Sequence, residues 1–62
     1  MKKPKVKLVG QDGNIFNLMG ICSVALRKAK QEENAKKMVN EIMKSNLYHE
    51  ALSIMGEYCE IS

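Results

Sequence analysis

Residues 5–9 read Lys5-Val6-Lys7-Leu8-Val9, KVKLV. Apolar and charged residues alternate with period two, so Val6 and Leu8 share one face and Lys5 and Lys7 the other, the pattern of a half-buried strand. Pro4 stands just ahead, where a missing N–H does least harm. A strand of about five residues cannot persist alone in water, because its N–H and C=O groups need a ladder. Within the chain the segment that answers this need is Cys59-Glu60-Ile61-Ser62, which alternates in the same way, with Cys59 and Ile61 on one face. Pairing would set Glu60 opposite or diagonal to Lys5 or Lys7, a modest attraction. The alternative is that the strand pairs with its copy in a second subunit, which would make the protein a homodimer.

Working outward, GQDGNIFNLMG (residues 10–20) joins the strand to an apolar run. Ile15, Leu18, Met19, Cys22, Ala25, Leu26 and Ala29 follow the i, i+3, i+4, i+7 spacing of a helix, widened by Phe16 and Ile21. Asp12-Gly13 is also a strong hairpin turn, but alternation would group Ile15 with Asn17 and Phe16 with Leu18, mixing polar with apolar. The helical grouping stays clean. In the resulting strand-to-helix corner, Asp12 or Asn14 caps the helix, for about 1 kcal/mol. Gly10 and Gly13 supply the backbone freedom of the turn.

A second helix carries Ala35, Met38, Val39, Ile42 and Met43 on one stripe, surrounded by Glu32, Glu33, Lys36, Lys37, Asn40, Glu41 and Lys44. Glu33 and Lys37 are placed for an i, i+4 ion pair. Ser45-Asn46 then offers a cap for a third helix, in which Leu47, Ala51, Ile54, Met55 and Tyr58 line one side, adjoined by Leu52 and Cys59. Gly56 falls inside that helix, which points to close packing or an early helix end. The architecture expected is a small α+β domain, β-α-α-α-β, with three helices on a two-stranded sheet. Residues 1–62 form one domain, and residues 1–4 are expected to be flexible.

A chain of 62 residues buries only about 60% of the surface that its unfolded form exposes, so its stability margin is thin. Cys22 and Cys59 make one bridge at most and do not form a disulfide scaffold. With Phe16, Tyr48 and Tyr58 as the only aromatic residues, the five methionines supply much of the apolar bulk and read as core filling. The run from Gly13 to Leu26 is interrupted by Asn14 and Asn17, which makes it a poor signal sequence. It is also too short and polar to span a bilayer. The expectation is a soluble cytoplasmic protein with reduced thiols and no membrane partner.

Charge is split along the chain, +6 over residues 1–31 and −3 over residues 32–62. If nucleic acid is bound, the contacts expected are Lys5, Lys7, Arg27, Lys28 and Lys30, in a weak and sequence-indifferent mode. The lysine run has no interleaved aromatic residue, which counts against single-strand binding. A helix-turn-helix reading fails, because the would-be recognition helix carries Glu50, Glu57 and Glu60 and no lysine or arginine. A phosphate cradle at Gly10, Asp12, Gly13 and Asn14 lacks both GxGxxG and GK[ST], and Asp12 would repel the anion. The same residues lack the further ligands of a calcium loop.

Cys22, Cys59 and His49 fall at no metal-ligand spacing. No base, nucleophile and orienting group can be assembled from the sequence, so no catalytic, cofactor-binding or metal-binding residue is assigned and the protein is expected not to be an enzyme. The first helix is apolar over more than the stripe that three packed helices would cover, which marks Phe16, Gly20 and Val24 as a candidate contact face for a protein partner or a second copy.

The run KVKLVGQDGNIFNLMGICSVALRKA, with the terminal Tyr-Cys-Glu-Ile, resembles a group of short bacterial proteins found among phage and mobile-element genes. They share a V-K-L-x-G-x-D-G-N-x-F-x-x-x-G…A-L-R-x-A pattern. The resemblance rests on Gly10, Asp12, Gly13, Asn14, Phe16, Gly20, Ala25, Leu26 and Arg27. It implies a shared fold and no mechanism, the group having no established activity. Lys30 departs from it, standing where the similar proteins tend to have glycine after the first long helix.

Overall fold

The computed structural model describes residues 2–62. Strand β1 (Lys5–Val6), helices α1 (Ile15–Lys28), α2 (Glu32–Lys44) and α3 (Tyr48–Tyr58), and strand β2 (Glu60–Ile61) follow one another. The strands pair with each other, as the alternation predicts, and they do so in parallel, with Lys5 beside Glu60 and Val6 beside Ile61. Parallel neighbours need a long crossover, and here the crossover is all three helices. The result is a small α+β domain, flat at 27 × 26 × 15 Å.

The ladder is short but reaches past the strands on both sides. The Glu60 N–H donates to the Pro4 carbonyl (2.8 Å), the Ser62 N–H to the Val6 carbonyl (2.9 Å) and the Leu8 N–H to the Ser62 carbonyl (2.9 Å). The five-residue strand expected from KVKLV is therefore shortened to two residues. Leu8 and Val9 both donate to Ser62, and the chain then turns, with Gln11 N–H donating to the Leu8 carbonyl (3.1 Å). Gly10 takes φ 86°, as the third residue of a type II turn requires. Gly13, expected to share that role, has no positive φ; its carbonyl instead accepts from the Tyr48 hydroxyl. Residues 2–4, expected to be flexible, are tied to the body: the Lys2 carbonyl accepts from Gln31, Lys3 Nζ donates to the Gly56 carbonyl, and Pro4 accepts from Glu60. The expectation for residue 1 lies outside the described residues.

Asn14 caps α1, its side chain accepting from the Phe16 N–H (2.8 Å). Asp12 braces that cap, accepting from the Asn14 N–H (3.0 Å). The core is built from Val6 of β1, Leu18, Cys22 and Leu26 of α1, Ala35, Met38 and Ile42 of α2, Ala51 and Met55 of α3, and Cys59. Of the methionines read as core filling, Met38 and Met55 are fully buried and Met19 packs partly buried against the core, whereas Met43 is exposed; Met1 lies outside the described residues. Several stripe positions differ from expectation. Ala29 lies past the end of α1 and is exposed, while Met43 and Leu47 are exposed at the α2–α3 connection. Leu47 is the residue before α3 rather than part of it, and no side chain caps that helix. The Ser45 hydroxyl is already used, donating to the Ile42 carbonyl (2.7 Å) at the end of α2. The expected Glu33–Lys37 ion pair is replaced by Glu32–Lys36 at 3.9 Å, an exposed pair that contributes little. Gly56 does not mark close packing, since a methyl group there would meet no atom within 4 Å beyond its own helix.

Lys30 closes the end of α1. The Gln31 N–H donates to Leu26 (2.8 Å) and the Lys30 N–H to Arg27 (3.0 Å), the two bonds of a Schellman motif, which needs a left-handed residue just past the cap. Lys30 is that residue, at φ 62°. A lysine there is strained where glycine is not. Lys30→Gly should therefore stabilise the protein by about 1 kcal/mol, while Gly10→Ala should destabilise it by about the same. Urea unfolding followed by circular dichroism measures both, and shifts of equal sign would contradict the assignment.

Candidate interaction groove

The inward turn of Val6 fixes β1 against α1, and the surface left between them is a groove of about 680 Å³. Its walls are Lys5, Val6 and Lys7 on the strand side and Phe16, Gly20, Val24 and Lys28, with Asn17, Ile21 and Ala25, on the helix side. Phe16, Gly20, Val24 and Lys28 succeed one another at intervals of four along α1 and so share a face. That face is not the one packed in the core, which carries Leu18, Cys22 and Leu26. Phe16 is 61% exposed and Val24 49%. Gly20 between them leaves the floor low, and a methyl group there would touch nothing beyond its own helix within 4 Å. Glycine in mid-helix costs about 1 kcal/mol relative to alanine, with no packing gain here to offset it.

The groove joins two sets of residues that the sequence holds apart. Phe16, Gly20 and Val24 on α1 share it with Lys5 and Lys7 of the strand side, and Lys28 closes the helix side at its far end. Arg27 and Lys30 are exposed but do not line it. A neighbouring hollow gathers Lys2, Lys3, Lys5, Ala29 and Gln31, so the basic character continues past the end of α1. A smaller hollow of about 290 Å³ lies beyond Phe16. There Ile15 and Phe16 meet Met43, Leu47 and Tyr48. The exposed Met43 and Leu47 escape stripe analysis because their surroundings depend on the α2–α3 connection.

Cys22 and Cys59 are brought together in the core, where the Cys59 thiol lies 3.8 Å from the Cys22 carbonyl. Both are free and buried. Burial pushes the Cys22 thiol up to about 12, with Cys59 adding to the effect, and burial also raises Cys59. A thiol held in its protonated form is a poor nucleophile. Tyr58 is likewise pushed up to about 12, chiefly by its hydrogen bond to Glu41. His49 is exposed on α3. Among the described residues no three or more His, Cys, Asp or Glu side chains gather as a metal site would need. Nor is any helix of the described residues long and apolar enough to cross a membrane.

No protein family, curated protein or solved structure matches the chain. The reading of the groove therefore rests on its geometry.

The buried thiols have a measurable consequence. In the folded state Cys22 keeps its proton up to about pH 12, whereas the unfolded thiol releases it from its ordinary value of 9.0. The stabilisation is thus fully present below pH 9 and is lost as pH rises towards 12, at a limiting slope of about 1.4 kcal/mol per pH unit for each thiol. Cys22→Ala should lower the melting temperature at pH 8 through the cavity it leaves, yet lose less stability than the wild type between pH 9 and 11. Thermal melts across that range check this, and parallel declines would exclude the thiol as the cause.

Proposed function

We propose that the protein is a small, non-enzymatic interaction module that receives a protein partner in the groove between β1 and α1. The observation that carries this is the exposure of Phe16 and Val24 on either side of an unfilled Gly20, on a helix face that the core does not cover. Apolar residues grouped in a concave surface, with a few charged groups at its rim, are the common anatomy of a binding site. The test compares wild type with Phe16→Ser and Val24→Ser in a pull-down from the cells that make the protein. Both side chains are exposed, so the variants should fold and melt close to the wild type. A partner retained by the wild type and lost by both variants is the expected outcome. Sedimentation showing a strict monomer at high concentration, with nothing retained by the wild type, would remove the reading.

A second reading is favoured by the same groove. Phe16 supplies, in one groove with Lys5, Lys7 and Lys28, the aromatic surface that the lysine run lacks in sequence, and a cationic groove that carries an aromatic side chain is the arrangement that holds single-stranded nucleic acid. Binding of this kind should collapse as salt rises, since it depends on counterion release. A titration with mixed DNA and RNA oligonucleotides at low salt decides it, and absence of binding there eliminates this reading.

A further inference from the structure

The main chain of β1 adds a second kind of recognition to the groove. Pro4, Val6 and Leu8 direct their backbone groups at β2, through the bonds to Glu60 and Ser62. Successive residues of an extended strand direct theirs to opposite edges, so the N–H and C=O groups of Lys5 and Lys7 face away from β2. Lys5 and Lys7, whose backbone groups make up that second edge, line the groove together with Phe16, Gly20 and Val24. An unpaired strand edge beside an apolar helix face is the setting in which an extended peptide adds as a further strand, held by main-chain bonds and sorted by its alternate side chains.

Resting on the interaction-module reading above, we infer that the partner is an extended peptide segment of alternating apolar and acidic residues, which adds to the free edge of β1 and lies against α1. Alternation follows from the pleat. Val6 turns inward at 5% exposure whereas Lys5 and Lys7 are exposed. In an added strand one set of side chains therefore rests on Phe16, Gly20 and Val24, and the other flanks Lys5 and Lys7. Acidity follows from charge, because Lys5, Lys7 and Lys28 border the groove and no acidic residue lines it. The same charge opposes a second copy at this edge. Two β1 strands brought together about a two-fold axis would set these lysines against each other, and like charges opposed across a strand pair destabilise it.

The test uses the full chain and a fluorescein-labelled peptide of alternating glutamate and valine, with three comparison probes. The first carries lysine for glutamate, the second is N-methylated on the backbone amides of one edge, and the third is an oligothymidylate. The glutamate–valine peptide should bind and shift the backbone NMR signals of Lys5, Lys7 and residues 16–24. N-methylation should weaken it about tenfold through the lost main-chain bonds, and the lysine–valine peptide should bind at least that much more weakly. Lys5→Gln with Lys7→Gln should reduce both the affinity and its salt dependence. Equal binding of the N-methylated or lysine-bearing peptide would overturn the inference, as would signal shifts confined to other surfaces or displacement of the peptide by oligothymidylate at lower concentration. If a cellular partner is lost on Phe16→Ser while the glutamate–valine peptide fails to bind, strand addition is refuted and the module reading stands.

Discussion

Everything in this fold depends on a few main-chain hydrogen bonds between the two ends of the chain. Glu60 to Pro4, Ser62 to Val6 and Leu8 to Ser62 close a loop that contains all three helices. Such a contact forms across nearly the whole sequence, so its loop-closure entropy is met only when the helices between have packed. The ladder in turn delivers Val6 and Cys59 to the core, where they meet Leu18, Cys22, Leu26, Met38 and Met55. Neither the strands nor the core would persist without the other. The groove inherits this dependence, since one of its walls is the strand that the tail holds in place.

The core itself is made of modest parts. Ala35, Ala51, Cys22 and Cys59 are small, and the bulk comes from leucine, isoleucine and methionine. Flexible methionine fills the space between these small residues. In a domain of this size each such contact is a large share of the whole stability. Two thiols buried without a bridge fit that economy as compact apolar groups, and their raised protonation follows from the same exclusion of water. Lys30 works against it, holding a left-handed turn that glycine would take without strain.

How much of this could be read from the residues divides by range. KVKLV and the amphipathic stripe of α2 are local patterns, and the structure forms a strand and a helix from them. The partnership of head and tail was legible too, because an isolated strand must find a ladder and the chain offers one other alternating segment. What escaped depends on competition or on distance. The strand stops early because Leu8 and Val9 converge on one carbonyl before the turn at Gly10. Ser45 does not cap α3 because its hydroxyl is taken by α2. Leu47 and Met43 looked like core by spacing, and a short connection between helices left them outside. For the groove, Phe16, Gly20 and Val24 could be picked out as a surplus apolar face, and Lys5, Lys7, Arg27, Lys28 and Lys30 as a basic group, of which Arg27 and Lys30 do not line it. That Lys5 and Lys7 would border the same groove as the apolar face of α1 is a property of the crossover, which no spacing along the chain encodes.

The lysines of β1 then answer a problem that the fold creates. Pairing with β2 satisfies one edge of the strand and leaves the other open beside an apolar surface, a combination that invites indiscriminate pairing between copies. Charged residues on an edge strand, lysine especially, are a known way of blunting such an edge. Here they flank the open backbone groups on both sides of Val6. A lysine that repels another copy does not repel every strand; it selects by charge. Under the proposal, the alternation that first identified β1 as a strand also sets which strands it can accept: apolar where Phe16 and Val24 lie exposed, acidic where Lys5 and Lys7 stand.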